Sequence, residues 1–211
     1  MRKDLYVIGA RGAGREFVSR FTKIPGFSDQ YKIVGFLDDT GNLLDHYEGY
    51  PPIVSSVENY FPKPNDVVAC ALGLPAARRK YIEMLLARHA NFETFVSCGV
   101  TIHHNAKIGQ GVVIYENSVV SVDVNVGDYV LILNNASLGH DAQIGAYSVM
   151  EANSTVCGFS KIGSGVILHT SSVVLPKVKV GEGAIVGAGS VVLSNVKPGI
   201  SVFGIPATKI M

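Results

Sequence analysis

The chain has 211 residues with 18 basic and 17 acidic side chains, a formal net charge of +1, which excludes the basic stripe that a nucleic-acid binder needs. Hydrophobic residues make up 47%, so global disorder is excluded, and no apolar run reaches the roughly 18 residues that span a bilayer. Cys70, Cys98 and Cys157 are too widely spaced for a disulfide framework or a metal knuckle, and the N-terminal apolar stretch is too short for a signal peptide, so a reduced, cytoplasmic protein is expected.

Residues 1–95 read as alternating strands and helices, the rhythm of a parallel sheet. A buried strand is predicted over 5–8, followed by a Gly-rich turn. Helical spacing covers 15–21, with Phe17, Val18 and Phe21 on one side. Strand 32–37 runs into Asp38-Asp39, strand 66–72 ends at Gly73, helix spans 76–88, and 92–96 reads as a fourth strand. The run Arg78-Arg79-Lys80 reads as a solvated helix face.

From Val96 the period becomes six. Every sixth residue through Val192 is apolar, at all 17 positions, and the fourth residue after each is Val, Ala or Ser. Gly109, Gly127, Gly145, Gly163 and Gly181 add a second period of 18, so three hexads make one triangular coil. Residues 18 apart then lie above one another at about the 4.8 Å of paired strands. The expected order is an α/β half domain over 1–95 and an all-β prism over 96–211.

This strict hexad resembles the left-handed parallel β-helix of the hexapeptide acyltransferase superfamily. The left hand is implied by the resemblance alone. So are packing as homotrimers and an acyl-CoA cleft between neighbouring prisms.

Gly9-Ala10-Arg11-Gly12-Ala13-Gly14 follows the first strand and opens a helix, where backbone N–H groups approach a phosphate. A full dinucleotide fingerprint fails, because Phe17 stands where its third glycine belongs. A Rossmann-like half domain holding a mononucleotide or nucleotide sugar fits better. Asp38 and Asp39 would sit at the carboxyl edge of the sheet and accept from a base or a ribose. The alternative is a tight turn with loop-capping aspartates.

The Gly loop, the Gly-Phe-Leu-Asp-Asp run at 35–39, Gly73 with Arg78 five residues on, and the tail Phe203-Gly204-Ile205-Pro206-Ala207 together are similar to NeuD/PglD-type sugar acetyltransferases over the whole chain. The resemblance implies acetyl-CoA as donor and a nucleotide-linked amino sugar, of the UDP-4-amino-4,6-dideoxy type, as acceptor in surface-glycan synthesis. It implies that Gly9, Arg11, Gly12, Gly14, Asp38, Asp39 and Gly73 bind the nucleotide-sugar substrate. O-acetylation of a sugar such as sialic acid, and a non-catalytic nucleotide-sugar binder, are the competing readings.

Among the prism histidines, His104 and His140 share a column two coils apart, about 10 Å, too far for one metal within a chain. No resident metal is expected. His140 stands at a corner with Asp141 beside it, and Gly158 is the residue stacked one coil on. A base for the nucleophile's proton and a backbone donor for the oxyanion are what acyl transfer needs. The resemblance assigns His140 as base, Asp141 as its orienting carboxylate and Gly158 as donor to the acetyl carbonyl. It places Thr170 and Ala188 in the CoA cleft. The chain departs from the family pattern at Leu133, Val149, Glu151, Arg11 and Ala13, which leaves the reaction type intact and the substrate open.

Overall fold

The structure, a computed structural model, describes residues 2–210 and divides into two compact units, Met1–Thr94 and Phe95–Met211. The first unit carries four parallel strands: β1 (Lys3–Ile8), β2 (Tyr31–Leu37), β3 (Ile53–Ser55) and β4 (Asp66–Cys70). Between them run helices α1 (Gly12–Phe21), α2 (Phe27–Gln30) and α3 (Pro75–Leu86). The sheet order is β3-β2-β1-β4, so the strand order reverses beside β1. That reversal opens a crevice beyond the carboxyl ends of β1 and β4, where parallel sheets bind ligands. α1 buries Phe17, Val18 and Phe21, and α3 buries Ile82 and Leu85. All five residues of β4 are buried.

In the second unit, two-residue strands alternate with two-residue turns and stack into three parallel ladders. The five-stranded ladder runs from Lys107–Ile108 to Lys179–Val180 and the six-stranded one from Thr101–Ile102 to Val191–Val192. The eight-stranded sheet starts at Phe95–Val96 and ends in an antiparallel hairpin, Ser201–Gly204 with Ala207–Lys209. Registers pair residues 18 apart, as in Ser137 with Thr155 and Leu138 with Val156. The period-six column fills the interior of this left-handed parallel β-helix, from Ile114 through Val192.

The small column has a polar reason as well as a steric one. The buried hydroxyls of Ser118, Ser148 and Ser160 donate to the carbonyls of Leu133, Gly163 and Leu175, which satisfies both partners. The period-18 glycines follow the strands of the five-stranded ladder. A Cβ on Gly145 would stand 2.4 Å from both Gly163 C and Ser164 N, so the coils stack only without a side chain there. The three outer faces differ. Val113, Leu131 and Val149 point outward from the eight-stranded sheet and are nonetheless buried, whereas Lys107, Asn125, Gln143, Lys161 and Lys179 are exposed on the five-stranded ladder.

Several expectations change. Residues 92–96 are not one strand: Phe92 makes an isolated bridge to Val68, and Phe95–Val96 begins the prism. α2 and β3 fall in stretches to which the sequence assigns no element. Val96 and Ile102, in the apolar column, are 37% and 41% exposed, because no coil lies beneath the first turn. Arg78 is not on a solvated face. It is fully buried, and its Nη1 donates to the carbonyls of Cys70 and Leu72 at 2.9 and 2.8 Å. Carbonyls at the end of β4 would otherwise be buried without a donor.

Candidate functional site

At the carboxyl edge of the first unit the loops after β1, β2 and β4 are tied together. Gly9 N–H donates to Leu37 O, Ala71 N–H to Ile8 O, and Ala10 N–H to Asp38 Oδ2 at 2.9 Å. Asp38 Oδ1 also accepts from Thr40 N–H. Asp39 is engaged as well: Oδ1 accepts from Val57 N–H at 3.0 Å and Oδ2 from the Tyr81 hydroxyl at 2.5 Å. That bond is the main reason the Tyr81 hydroxyl is pushed up to about 12. Both aspartates therefore brace loops.

The loop glycines separate into two kinds. A Cβ on Gly14 would fall 1.8 Å from Gly9 O, so the first turn of α1 closes on the loop only with glycine there. Gly9 packs against Leu72, and Arg78 holds that segment from beneath. Gly12 and Gly73 are exposed and a Cβ on either would meet nothing within 4 Å. Arg11 is exposed at the N-cap of α1, and the Arg15 guanidinium lies 3.4 Å from the centre of the Tyr47 ring.

In the prism, His140 and Asp141 form the turn between strands Ser137–Leu138 and Gln143–Ile144. Asp141 takes φ 60°, a left-handed conformation that Asp and Asn tolerate through local hydrogen bonding. Its Oδ2 stands 2.9 Å from His140 Nδ1. The imidazole is 54% exposed and meets the Phe159 ring edge-on, centroids 5.0 Å apart. On its other side it lies over Gly158, where a Cβ would come within 2.7 Å of Nε2. Gly158 N–H makes no hydrogen bond among the described residues, while its carbonyl accepts from Lys177 N–H. The corner thus joins an imidazole anchored through Nδ1, an Nε2 that makes no hydrogen bond among the described residues, and an unspent backbone donor. Among the described residues no three His, Cys, Asp or Glu side chains converge to hold a metal ion.

Thr170 and Ala188 are exposed and stacked one coil apart, but not at that corner. They follow strands Ile167–Leu168 and Ile185–Val186 and precede the six-stranded ladder, whereas His140 and Gly158 leave it. The two sets occupy opposite edges of one ladder.

The Thr170 edge carries a cluster that no expectation assigned. Glu151 Oε2 accepts from Thr170 N–H at 3.0 Å and Thr170 Oγ1–H at 3.1 Å, and lies 3.1 Å from His169 Nδ1. The available signal was the spacing: residues 151 and 169 are 18 apart and share a column.

Residues 4–85 match the family described as the PglD N-terminal domain, and residues 159–194 match the bacterial transferase hexapeptide family of six repeats. No curated protein matches the chain. Among solved structures, the acetyltransferase domain of PglB from Neisseria gonorrhoeae in complex with acetyl coenzyme A is 25% identical, with both chains fully covered and a TM-score of 0.87. PerB from Caulobacter crescentus, in complex with CoA and GDP-perosamine, is 19% identical over 99% of this chain and 97% of its own, with a TM-score of 0.87. WeeI from Acinetobacter baumannii is 24% identical over 98% and 99%, with a TM-score of 0.83.

Proposed function

We propose that this chain, a NeuD/PglD-type acetyltransferase of the hexapeptide-repeat superfamily that takes its acetyl group from acetyl-CoA, delivers that group to the amine of a nucleotide-linked amino sugar. The observation that carries the reading is the His140 corner: Nδ1 held 2.9 Å from Asp141 and the ring laid over Gly158. The acetyl coenzyme A complex of the PglB acetyltransferase domain and the CoA and GDP-perosamine complex of PerB support the same chemistry.

The amine nitrogen attacks the thioester carbonyl and a C–N bond forms. His140 Nε2 takes the proton that the amine loses, and Asp141 balances the charge on the imidazolium. Negative charge develops on the acetyl oxygen, and Gly158 N–H stabilises it. The C–S bond then breaks, and the proton passes to sulfur to give CoA thiol and the acetamido sugar.

The first unit would hold the nucleotide at the strand-order reversal. Gly12 and Gly73 leave open backbone there, Arg11 offers positive charge, and Gly9, Gly14, Asp38 and Asp39 keep the loops in place. Such remote binding orients the amine. Thr170 and Ala188 would line the acetyl-CoA cleft. They and His140 lie on opposite edges of one ladder, so a second copy would supply the other wall, consistent with a homotrimer.

The test is thiol release from acetyl-CoA against UDP-, dTDP- and GDP-linked 4-amino-4,6-dideoxy sugars and their 4-hydroxy counterparts. Turnover confined to an amino sugar is expected. Turnover of the hydroxy sugars alone, or of none, overturns the reading.

A further inference from the structure

On the Thr170 edge of the prism, backbone carbonyls at successive levels already accept one hydrogen bond each. The carbonyls of Asn134, Ala152 and Thr170 are taken by the amides of Asn153, Ser171 and Gly189. Such an edge ordinarily presents outward N–H groups: those of Asn134, Ala152 and Ala188 make no hydrogen bond among the described residues. At Thr170 the pattern inverts. Both of its donors, N–H and Oγ1–H, are consumed by Glu151 Oε2, and His169 Nδ1 lies against the same oxygen. His169 Nε2 and Glu151 Oε1 make no hydrogen bond among the described residues, and the two side chains are 37% and 30% exposed. One station on a donor-lined edge has become an acceptor.

A group bound there must donate. The pantetheine arm of acetyl-CoA meets that requirement: its two amides each bring a carbonyl and an N–H. Backbone N–H groups with no partner among the described residues can serve the carbonyls, while Glu151 Oε1 and His169 Nε2 offer the acceptors that an arm N–H desolvated on binding needs. We propose that Glu151 and His169 form an acceptor station for an amide N–H of the acetyl-CoA arm, with Thr170 as the clamp that fixes Glu151. This rests on the placement of acetyl-CoA along Thr170 and Ala188. The station is a donor-positioning site and does not touch the reacting carbonyl.

The column explains why the station can exist here. Glu151 and His169 lie one above the other through the pairing of Val149–Met150 with Ile167–Leu168, so the carboxylate reaches the next coil without crossing a turn. One level further stands Gly187, where Phe203 fills the space a Cβ would need, at 2.4 Å from Cδ2. The station is therefore one residue pair deep.

The experiment compares wild type with Glu151→Ala, His169→Ala and His169→Gln in two measurements. Calorimetry of acetyl-CoA binding, without any sugar, is expected to show affinity about tenfold weaker in both alanine variants, the size of one hydrogen bond. His169→Gln, which restores an acceptor, is expected to recover most of it. In turnover, KM for acetyl-CoA should rise about tenfold with kcat within twofold. With S-(2-hydroxyethyl) thioacetate, which carries neither amide of the arm, wild type and variants should be indistinguishable. Unchanged CoA affinity in both alanine variants with melting temperature retained overturns the proposal, as does a loss carried by kcat alone. If wild type binds acetyl-CoA but acetylates no amino sugar, the acceptor reading fails while the station is still decided by calorimetry.

Discussion

The side of Gly158 that faces His140 is occupied: a Cβ there would stand 2.7 Å from Nε2 and 2.8 Å from Cε1. The imidazole rests where a side chain would be, one coil from its own turn. Base and oxyanion donor are thereby set by the stacking of coils, which is stiff. Gly158 has no positive φ, so alanine suits its backbone and offends only the ring. Gly158→Ala is therefore expected to keep the melting temperature and to lower kcat about 10²-fold through displacement of the base. Steady-state kinetics beside a thermal melt check it, and unchanged kcat refutes the role given to this contact.

Asp141 separates turn geometry from charge. It holds φ 60°, which asparagine adopts as readily, so Asp141→Asn preserves the corner while removing the carboxylate. His140→Ala is expected to fold normally and lose about 10²–10⁴ in kcat. Asp141→Asn should lose kcat also, by less, with KM for acetyl-CoA unmoved. Near-wild-type turnover of His140→Ala would sink the assignment of the base.

The glycines give a contrast within one loop. Gly14 faces Gly9 O at a distance no Cβ tolerates, whereas Gly12 faces open space. Gly14→Ala should destabilise the first unit by several kcal/mol, at the upper end of overpacking effects of about 1–3 kcal/mol, because backbone rather than side chain must yield. Gly12→Ala should melt as wild type and bind the nucleotide more weakly, since only the ligand needs that space. Calorimetry with UDP, GDP and dTDP reads the second outcome. Equal affinities in wild type and Gly12→Ala for all three would remove Gly12 from the site.

Much of the prism was legible in advance because its repeat is a distance. Spacing of 18 places Gly158 over His140, and the registers agree. The same spacing joins Glu151 to His169, yet neither residue type there is unusual on an exposed turn. Their connection shows only in the structure, where His169 Nδ1 and both donors of Thr170 converge on Glu151 Oε2. Arg78 departs from its sequence expectation for a related reason: its partners are carbonyls of Cys70 and Leu72, which leave no mark in sequence, and a charge in a basic run is ordinarily solvated. β3 has three residues, too few for a period of two to declare itself. In the first unit, spacing could set the Gly loop and Asp38 at one edge. It could not tell that both aspartates are already spent on Ala10, Thr40, Val57 and Tyr81.

Arg78 yields its own prediction. Replacement by Met keeps the length of the side chain but strips the donors from two carbonyls. Each buried acceptor left unpaired costs about 1–3 kcal/mol. Arg78→Met is expected to lower the melting temperature of the first unit while the prism's transition stays in place. Two-wavelength circular dichroism, or hydrogen exchange over β4 and the segment following it, distinguishes this from a uniform loss. Wild-type exchange protection at Cys70–Leu72 in the variant would show the clamp to be dispensable.

Stability should also fall in alkali, through two tyrosines of the first unit. Burial, then the hydrogen bond to Glu93 Oε2 at 2.6 Å, pushes Tyr31 up to about 12. Burial and a hydrogen bond to Asp66 at 2.7 Å raise Tyr60 further. In the unfolded chain both titrate near the ordinary value of about 10. A folded-state value above the unfolded one means the fold favours the neutral phenol. That contribution is complete below about pH 10 and is lost as pH climbs through the folded values. The melting temperature is therefore expected to be level from pH 8 to about 10 and to decline from there towards 12. The double variant Tyr31→Phe/Tyr60→Phe has no phenol to ionise at these positions. It should start from a lower melting temperature at pH 8, having lost both hydrogen bonds, and decline less steeply above pH 10. Parallel slopes for wild type and double variant would show that the alkaline loss arises elsewhere.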